Sequence, residues 1–111
     1  MWVSRGRSVI AVLEGNLEHF VDICQKRHVR RLALFGSATG AGFDPVRSDV
    51  DLLVDFLPML PREHADNYFG LLEDLEGLLG LPVDLVEERP VKNPFFIQMV
   101  EQTRVLLYAA A

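Results

Sequence analysis

Leu34-Phe35-Gly36-Ser37 ends one apolar run of this chain, and Ser48-Asp49-Val50-Asp51-Leu52-Leu53-Val54 opens the next one. A polar loop that contains glycine separates the two runs. Both runs are rich in aliphatic residues and are bounded by turn-forming residues, a pattern that predicts two strands. Because side chains alternate sides along a strand, Asp49 and Asp51 are predicted to point to the same face.

The paired aspartates and the Gly-Ser turn ahead of them are typical of a site that handles phosphates. Two carboxylates on one face repel each other unless a cation lies between them, and Mg²⁺ takes oxygen ligands of this kind. Gly36 has no Cβ, so the backbone N–H groups of Gly36 and Ser37 can approach a phosphate closely. A phosphate cradle beside metal-binding carboxylates indicates phosphoryl or nucleotidyl transfer.

Hydrophobic periodicity outside this region predicts an α/β fold (α+β by some definitions), with helices packed on a short mixed sheet. The predicted helices span 9–27, 61–79 and a segment from Asn93, and the predicted strands span 29–35, 49–55, 82–86 and 104–108. Ser8 is the expected N-cap of the first helix, which Gly15-Asn16 can divide. The second strand is almost continuously apolar beyond Asp51, which predicts a central strand covered on both faces.

The predicted helix over 61–79 is expected to be amphipathic and to end at Gly80. Its buried stripe is predicted to consist of Ala65, Tyr68, Leu72, Leu75 and Leu79. Its acidic residues are predicted to form a solvated face made of Glu73, Asp74 and Glu76. The turn at 87–90, after the third strand, is predicted to be exposed.

Length and charge restrict the kind of protein. We expect a single domain over 1–111, with 1–8 as a flexible N-terminus. So short a chain buries a small core, which leaves room for stabilisation by an oligomer or a partner protein. The net charge of −5 argues against a broad basic nucleic-acid surface, although not against a nucleotide whose charge Mg²⁺ offsets.

The single cysteine and the lengths of the apolar runs indicate the compartment. Cys24 excludes an internal disulfide, fits a reducing cytoplasm and is predicted to lie in the core. No apolar run approaches the ~20 residues of a membrane-spanning helix. We therefore expect a cytoplasmic protein without a membrane partner.

At the Gly-Ser turn and the aspartates described above, the chain resembles the nucleotidyltransferase superfamily that includes DNA polymerase beta. It is most similar to the minimal nucleotidyltransferases, which accompany HEPN-domain toxins as antitoxins. The matching residues are Gly36, Ser37, Asp49 and Asp51, together with Asp84, which matches the family's third carboxylate on a later strand. The resemblance covers roughly residues 9–108. Many relatives have Ser-x-Ala-Arg-Gly after the glycine, whereas this chain reads Ser37-Ala38-Thr39-Gly40 and has Arg47 as the only arginine of that loop.

The resemblance implies a nucleotidyltransferase fold and the transfer of AMP from ATP, or of another nucleotide, to a hydroxyl group. By resemblance the acceptor is a tyrosine of a HEPN toxin, and the protein acts as an antitoxin. Asp49, Asp51 and Asp84 would hold two Mg²⁺ ions and carry the catalysis, while Gly36 and Ser37 would bind the phosphates.

Each candidate residue also has an ordinary structural explanation. Asp49 and Asp51 could cap a loop end, and Gly36-Ser37 could be a strand end with Ser37 as an N-cap. Asp84 could be a surface residue on an edge strand, but its apolar neighbours favour burial, and a buried charge needs a partner such as a metal or substrate. Their combination in one short chain favours the metal site.

Two other functions stay open at this stage. One is an antitoxin that has lost catalysis and neutralises its toxin by binding alone, which the missing arginine after Ala38 favours. The other is an enzyme that modifies a small hydroxyl compound such as an aminoglycoside. The presence of all three acids and of the Gly-Ser pair favours an active enzyme.

Overall fold

The computed structural model describes residues 5–35, 50–88, 94, 98 and 104–110, with 5–8 described for the backbone alone. These residues form α1 (Arg5–Gly15), α2 (Leu17–Lys26), β1 (Val29–Leu34), β2 (Val50–Phe56), α3 (Pro61–Leu79), β3 (Val83–Glu87) and β4 (Val105–Ala109). Pro94 and Gln98 are also helical and lie in the predicted last helix. No helix of the described ranges is long and apolar enough to cross a membrane.

The strands form a mixed sheet in the order β3-β2-β1-β4. β1 pairs antiparallel with β2 and with β4, whereas β2 and β3 are parallel and are connected by α3. β2 is therefore central, and Leu53 and Val54 are both buried although they point to opposite faces of the sheet. The predicted fold class and the predicted central position of β2 are confirmed.

The helices pack on one face of this sheet and leave a second face with different chemistry. Strand alternation directs Leu52 and Val54 of β2 into the helix-covered core. The opposite face, called the second face below, carries Asp51, Leu53 and Asp55, and Leu53 packs there in a cluster with Phe35 and Val86. The two candidate acids of β2 and β3 are therefore excluded from the helical core.

Cys24 lies at the centre of the helix-covered core, as predicted. Its side chain is 0% exposed, and neighbouring core residues of α2 are Phe20 and Ile23. Burial raises the pKa of this thiol to about 12, because a low-dielectric environment disfavours the thiolate. The group therefore remains a neutral, apolar core side chain at physiological pH.

The helix predictions are correct in outline and wrong in two details, the start of the first helix and the buried stripe of α3. The first predicted helix is divided at Asn16, as expected, but it begins at Arg5, so that Ser8 lies inside it and does not cap it. In α3 the buried stripe runs through Leu71, Leu75 and Leu79, while Ala65 is exposed and Tyr68 and Leu72 are half-buried. Spacing by four residues aligns the three leucines, and adjacent leucines made the stripe ambiguous from sequence. Gly80 has φ 67°, the left-handed conformation expected of a glycine C-cap.

The strand after α3 is displaced by one residue from its predicted position. β3 includes Glu87, whose carboxylate contacts the His64 ring, and both Glu87 and Glu88 are half-buried. The predicted exposed turn at 87–90 is therefore wrong for these two residues. They are covered because His64 of α3 lies against Glu87, while Arg31 of β1 and Arg104, the residue before β4, reach Glu88.

Asp74 joins α3 to the end of α2 and is not part of a purely solvated face. The Arg27 Nε donates to the Asp74 carboxylate at 2.9 Å, and the Lys26 ammonium lies 3.6 Å from the same oxygen. Burial alone would raise the pKa of Asp74, but the hydrogen bond and charge of Arg27, with help from Lys26, outweigh it and lower the pKa. Glu76 accepts a hydrogen bond from the Val83 N–H at 2.9 Å, so Glu73 is the one exposed residue of the predicted acidic face.

We expect Asp74→Asn to lower the free energy of unfolding by about 1 kcal/mol at pH 7, as for a charge-assisted hydrogen bond discounted for partial exposure. Since the folded-state pKa of Asp74 is lowered, its contribution is present above the unfolded pKa of about 3.9 and is lost as pH falls through the folded value. Urea unfolding should show that the gap between wild type and variant narrows from pH 7 toward pH 3. The control is Glu73→Gln, and an Asp74→Asn variant as stable as this control at pH 7 would contradict the prediction.

Candidate active site

Asp51 and Asp84 are direct register partners on the parallel strands β2 and β3. Register partners point to the same face, and neighbouring strands lie about 4.8 Å apart, so the two carboxylates stand side by side. Asp51 is half-buried, whereas Asp84 is exposed. Two of the three predicted acids, 33 residues apart in sequence (84 minus 51), thus meet on the second face.

The other predicted site residues, Gly36, Ser37 and Asp49, lie outside the described residues, so their roles remain predictions. The described chain on either side of 36–49 ends close to Asp51. The Phe35 N–H donates to the Asp51 carbonyl at 3.1 Å, and Val50 directly precedes Asp51 in β2. The backbone therefore enters and leaves this segment next to the acid pair.

The expectation that Asp84 is buried was wrong. β3 is an edge strand, and alternation places Val83 and Leu85 in the core while Asp84 faces the other way. The burial of the neighbouring Val83 and Leu85 therefore describes the opposite side of the strand and not the side of Asp84. Asp84 is a candidate site residue because it pairs with Asp51 and is accessible to an incoming ligand.

Two side chains of α3 fix the strand that carries Asp84. The Tyr68 hydroxyl donates to the Leu85 carbonyl at 2.5 Å, and the Glu76 carboxylate accepts from the Val83 N–H. Burial raises the pKa of Tyr68, and the negative charges of Glu87 and then Asp84 raise it further. Tyr68 therefore stays protonated at neutral pH and keeps its role as a donor that positions β3 beside β2.

Asp55, at the other end of β2, is buried and neutralised by two arginines. It is the one charged residue of the described ranges that is classed as buried, with 3% exposure. The Nε of Arg30 and a terminal nitrogen of Arg31 each lie 3.7 Å from its carboxylate. A buried carboxylate requires such compensation. Two consecutive arginines inside a predicted strand are the sequence feature that could have indicated these contacts.

A second carboxylate extends this charge network to β4. Glu88 accepts from Arg31 at 2.9 Å through one oxygen and from Arg104 at 3.0 Å through the other. Because Arg31 faces both carboxylates, a connected network, called the arginine network below, joins five residues on the second face: Arg30, Arg31, Asp55, Glu88 and Arg104. No sequence pattern identified Glu88 or Arg104 as members, since their contacts join residues far apart in the chain.

The donor set of the acid pair fits a hard divalent cation. Mg²⁺ is bound in proteins by one or two carboxylates together with substrate phosphates and water. Asp51 and Asp84 provide two adjacent carboxylates on one face, one of them exposed. Among the described residues no group of three or more His, Cys, Asp or Glu side chains could hold a metal without further ligands. A third ligand from Asp49 is the remaining sequence prediction.

Comparisons with known proteins agree with this geometry. The family model for the nucleotidyltransferase domain matches residues 17–107. Protein adenylyltransferase MntA of Thermococcus cleftensis is 39% identical over 77 residues, which cover 68% of this chain and 72% of that protein.

Two solved structures have a similar fold. The structure of a candidate minimal nucleotidyltransferase has a TM-score of 0.62 and 33% identity, over 86% of this chain and 92% of that one. A complex of tri-AMPylated Shewanella oneidensis HEPN toxin with MNT antitoxin contains a chain with a TM-score of 0.57 and 21% identity, over 87% of this chain and 72% of that one. The second likeness shows the fold alone.

The matched residues include β1, β2 and β3 and therefore both members of the acid pair. With the family model covering most of the chain and a relative of 39% identity, the chain belongs to the nucleotidyltransferase family, as a minimal nucleotidyltransferase.

Proposed function

We propose that this protein is a Mg²⁺-dependent antitoxin that transfers AMP from ATP to a tyrosine of a HEPN-domain toxin. The observation that carries the proposal is the register pair Asp51 and Asp84 on an accessible sheet face. The name of the Thermococcus relative, protein adenylyltransferase, supports the choice of AMP. The AMPylated HEPN toxin in complex with a structurally similar antitoxin supports a HEPN toxin as the acceptor protein, and the choice of a tyrosine follows the family resemblance.

Asp49, Asp51 and Asp84 would hold two Mg²⁺ ions, which when bound neutralise the triphosphate and polarise the attacking hydroxyl. Asp84, being exposed, is accessible to an acceptor that arrives from outside and would take the hydroxyl proton. The N–H groups of Gly36 and Ser37 would hold the phosphates in line. The tyrosine oxygen forms a bond to the α-phosphorus, and the bond to pyrophosphate breaks.

Large apolar side chains on the surface support a protein partner. Leu60 is 69% exposed, Phe69 65% and Leu106 57%. Single exposed apolar residues are normal, but aromatic and aliphatic anchors of this size often form the centre of an interface. An antitoxin needs such a surface whether or not it also catalyses a reaction.

Metal binding tests the acid pair directly. Titration of Mn²⁺ in the presence of ATP should give saturable binding to the wild type, and the double variant Asp49→Asn with Asp51→Asn should abolish it. Neutralising adjacent carboxylates removes a repulsion, so this variant should unfold in EDTA at the same temperature as the wild type or slightly higher.

The matched control for metal binding removes two exposed acids elsewhere, through Asp22→Asn with Asp66→Asn. This control has the same net charge as the double site variant and should bind Mn²⁺ and ATP as the wild type does. If the site variant binds as well as this control, the metal is held elsewhere. A large fall in its melting temperature would mean that the acids are structural.

A measurement of AMP transfer distinguishes an active enzyme from an antitoxin that acts by binding alone. Mixed with a HEPN-domain toxin and Mg²⁺, the wild type should move label from ATP labelled on the α-phosphate to the toxin. Label on the γ-phosphate should not move, because attack at the α-phosphorus expels pyrophosphate. Asp84→Ala should slow the transfer by about 10²–10⁴-fold, as for loss of a general base, while toxin binding persists.

The control for this reaction is Asp66→Ala on the exposed side of α3, which should transfer at the wild-type rate. Replacement of the acceptor tyrosine by phenylalanine should abolish labelling. If the α-label never transfers although the protein silences the toxin at equimolar amounts, the protein neutralises by binding alone. Transfer of the γ-label would make it a kinase.

A further inference from the structure

Arg104 lies in one row across the sheet with the acid pair. Asp84 is the register partner of Asp51, and the Phe35 N–H donates to the Asp51 carbonyl. Leu34 is the register partner of Val105, so the preceding residue, Arg104, continues the row beside Phe35. Two strand spacings, roughly 10 Å, separate the backbone of Arg104 from that of Asp51.

The Arg104 side chain lies over the second face, where the acid pair also is. Its guanidinium donates to Glu88 at 3.0 Å, and Glu88 also binds Arg31, which faces Asp55 of the second face. The Arg104 side chain is 29% exposed, so solvent and a ligand can reach it. Glu88 follows β3, and its N–H donates to the Val54 carbonyl, so the Arg104 guanidinium is held over the second face toward the Asp55 end of β2, while the Arg104 backbone is level with the acid pair.

The arginines of this network differ in how much stability the protein would lose if each one left its carboxylate partner. Arg30 and Arg31 compensate Asp55, whose side chain is 2% exposed, and stripping a buried carboxylate of its cations is strongly destabilising. Glu88 is 25% exposed and keeps Arg31 if Arg104 leaves. Partly exposed ion pairs contribute little to stability. Arg104 can therefore exchange this partner at lower cost than Arg30 or Arg31 can leave Asp55.

A triphosphate brought to the acid pair adds negative charge to a face that already carries Asp51 and Asp84. The loop after Ser37 reads Ala38-Thr39-Gly40 and offers no cation before Arg47. A guanidinium binds phosphate oxygens through two parallel hydrogen bonds, as it binds carboxylates, and a triphosphate carries more negative charge than the single carboxylate of Glu88. We propose that Arg104 binds the β- and γ-phosphates of the nucleotide and exchanges Glu88 for them when the nucleotide arrives. This inference rests on the proposed function.

The test compares the affinities of Arg104 variants for ATP and for AMP, measured by calorimetry with Mg²⁺ and without toxin. Arg104→Gln should weaken ATP binding by about tenfold to a hundredfold, the effect of losing a hydrogen bond to a charged group. AMP binding should change little, because AMP lacks the two outer phosphates. Arg104→Lys should fall between, since it keeps the charge but not the paired donors.

Two further variants sharpen the test. Arg62→Gln removes the same charge from an exposed position of α3 and should leave both affinities unchanged. Glu88→Gln releases Arg104 from its carboxylate and should tighten ATP binding by up to about fivefold, the value of a partly exposed ion pair. If Glu88→Gln instead weakens ATP binding as much as Arg104→Gln, the intact ion pair is required and the exchange of partners is wrong.

Equal ATP affinities of Arg104→Gln and Arg62→Gln would overturn the inference and leave the proposed function standing, because the wild type still binds ATP. Equal losses for ATP and AMP in Arg104→Gln would also overturn it, since the defect would then not concern the outer phosphates. If the wild type itself binds no ATP with Mg²⁺, the proposed function fails, and this inference fails with it.

Discussion

The parallel pairing of β2 with β3 is the constraint on which the site depends. A slip of one residue would turn Asp84 into the core and Val83 or Leu85 to the second face, exchanging a charge for an apolar side chain. The helix between the strands reinforces the register, because Tyr68 and Glu76 of α3 each bind the backbone of β3. The level of Asp84 relative to Asp51 is thus set by packing on the opposite side of the sheet.

The carboxylates of the second face lie in two different environments. At one end of β2, Asp55 is buried and its charge is compensated by Arg30 and Arg31. At the other end, Asp51 and Asp84 stand side by side with one of them open to solvent. Adjacent carboxylates repel, and this repulsion is relieved when a cation binds between them. The same strand therefore combines a structural charge with a pair suited to a ligand.

Sequence periodicity predicted the types of the helices and strands, since each depends on neighbours within a few residues. It identified the division at Gly15-Asn16 and the cap at Gly80 but misplaced the buried stripe, because Leu71 and Leu72 are equally apolar. The burial of Asp84 was judged from flanking residues that face the other way. Contacts such as Glu88 with Arg104 join distant segments and could not be read from local pattern. The resemblance selected Asp51 and Asp84, and the register places them together, whereas Gly36, Ser37 and Asp49 remain predictions.

The burial of Cys24 also gives this protein a built-in reporter. Its thiol is the only one in the chain, is 0% exposed and has a pKa of about 12. A thiol reagent therefore cannot reach it until the helices move away from the sheet, and the released thiol then reacts with an ordinary pKa. The rate of labelling at this one sulfur measures how often the core opens, without any introduced probe.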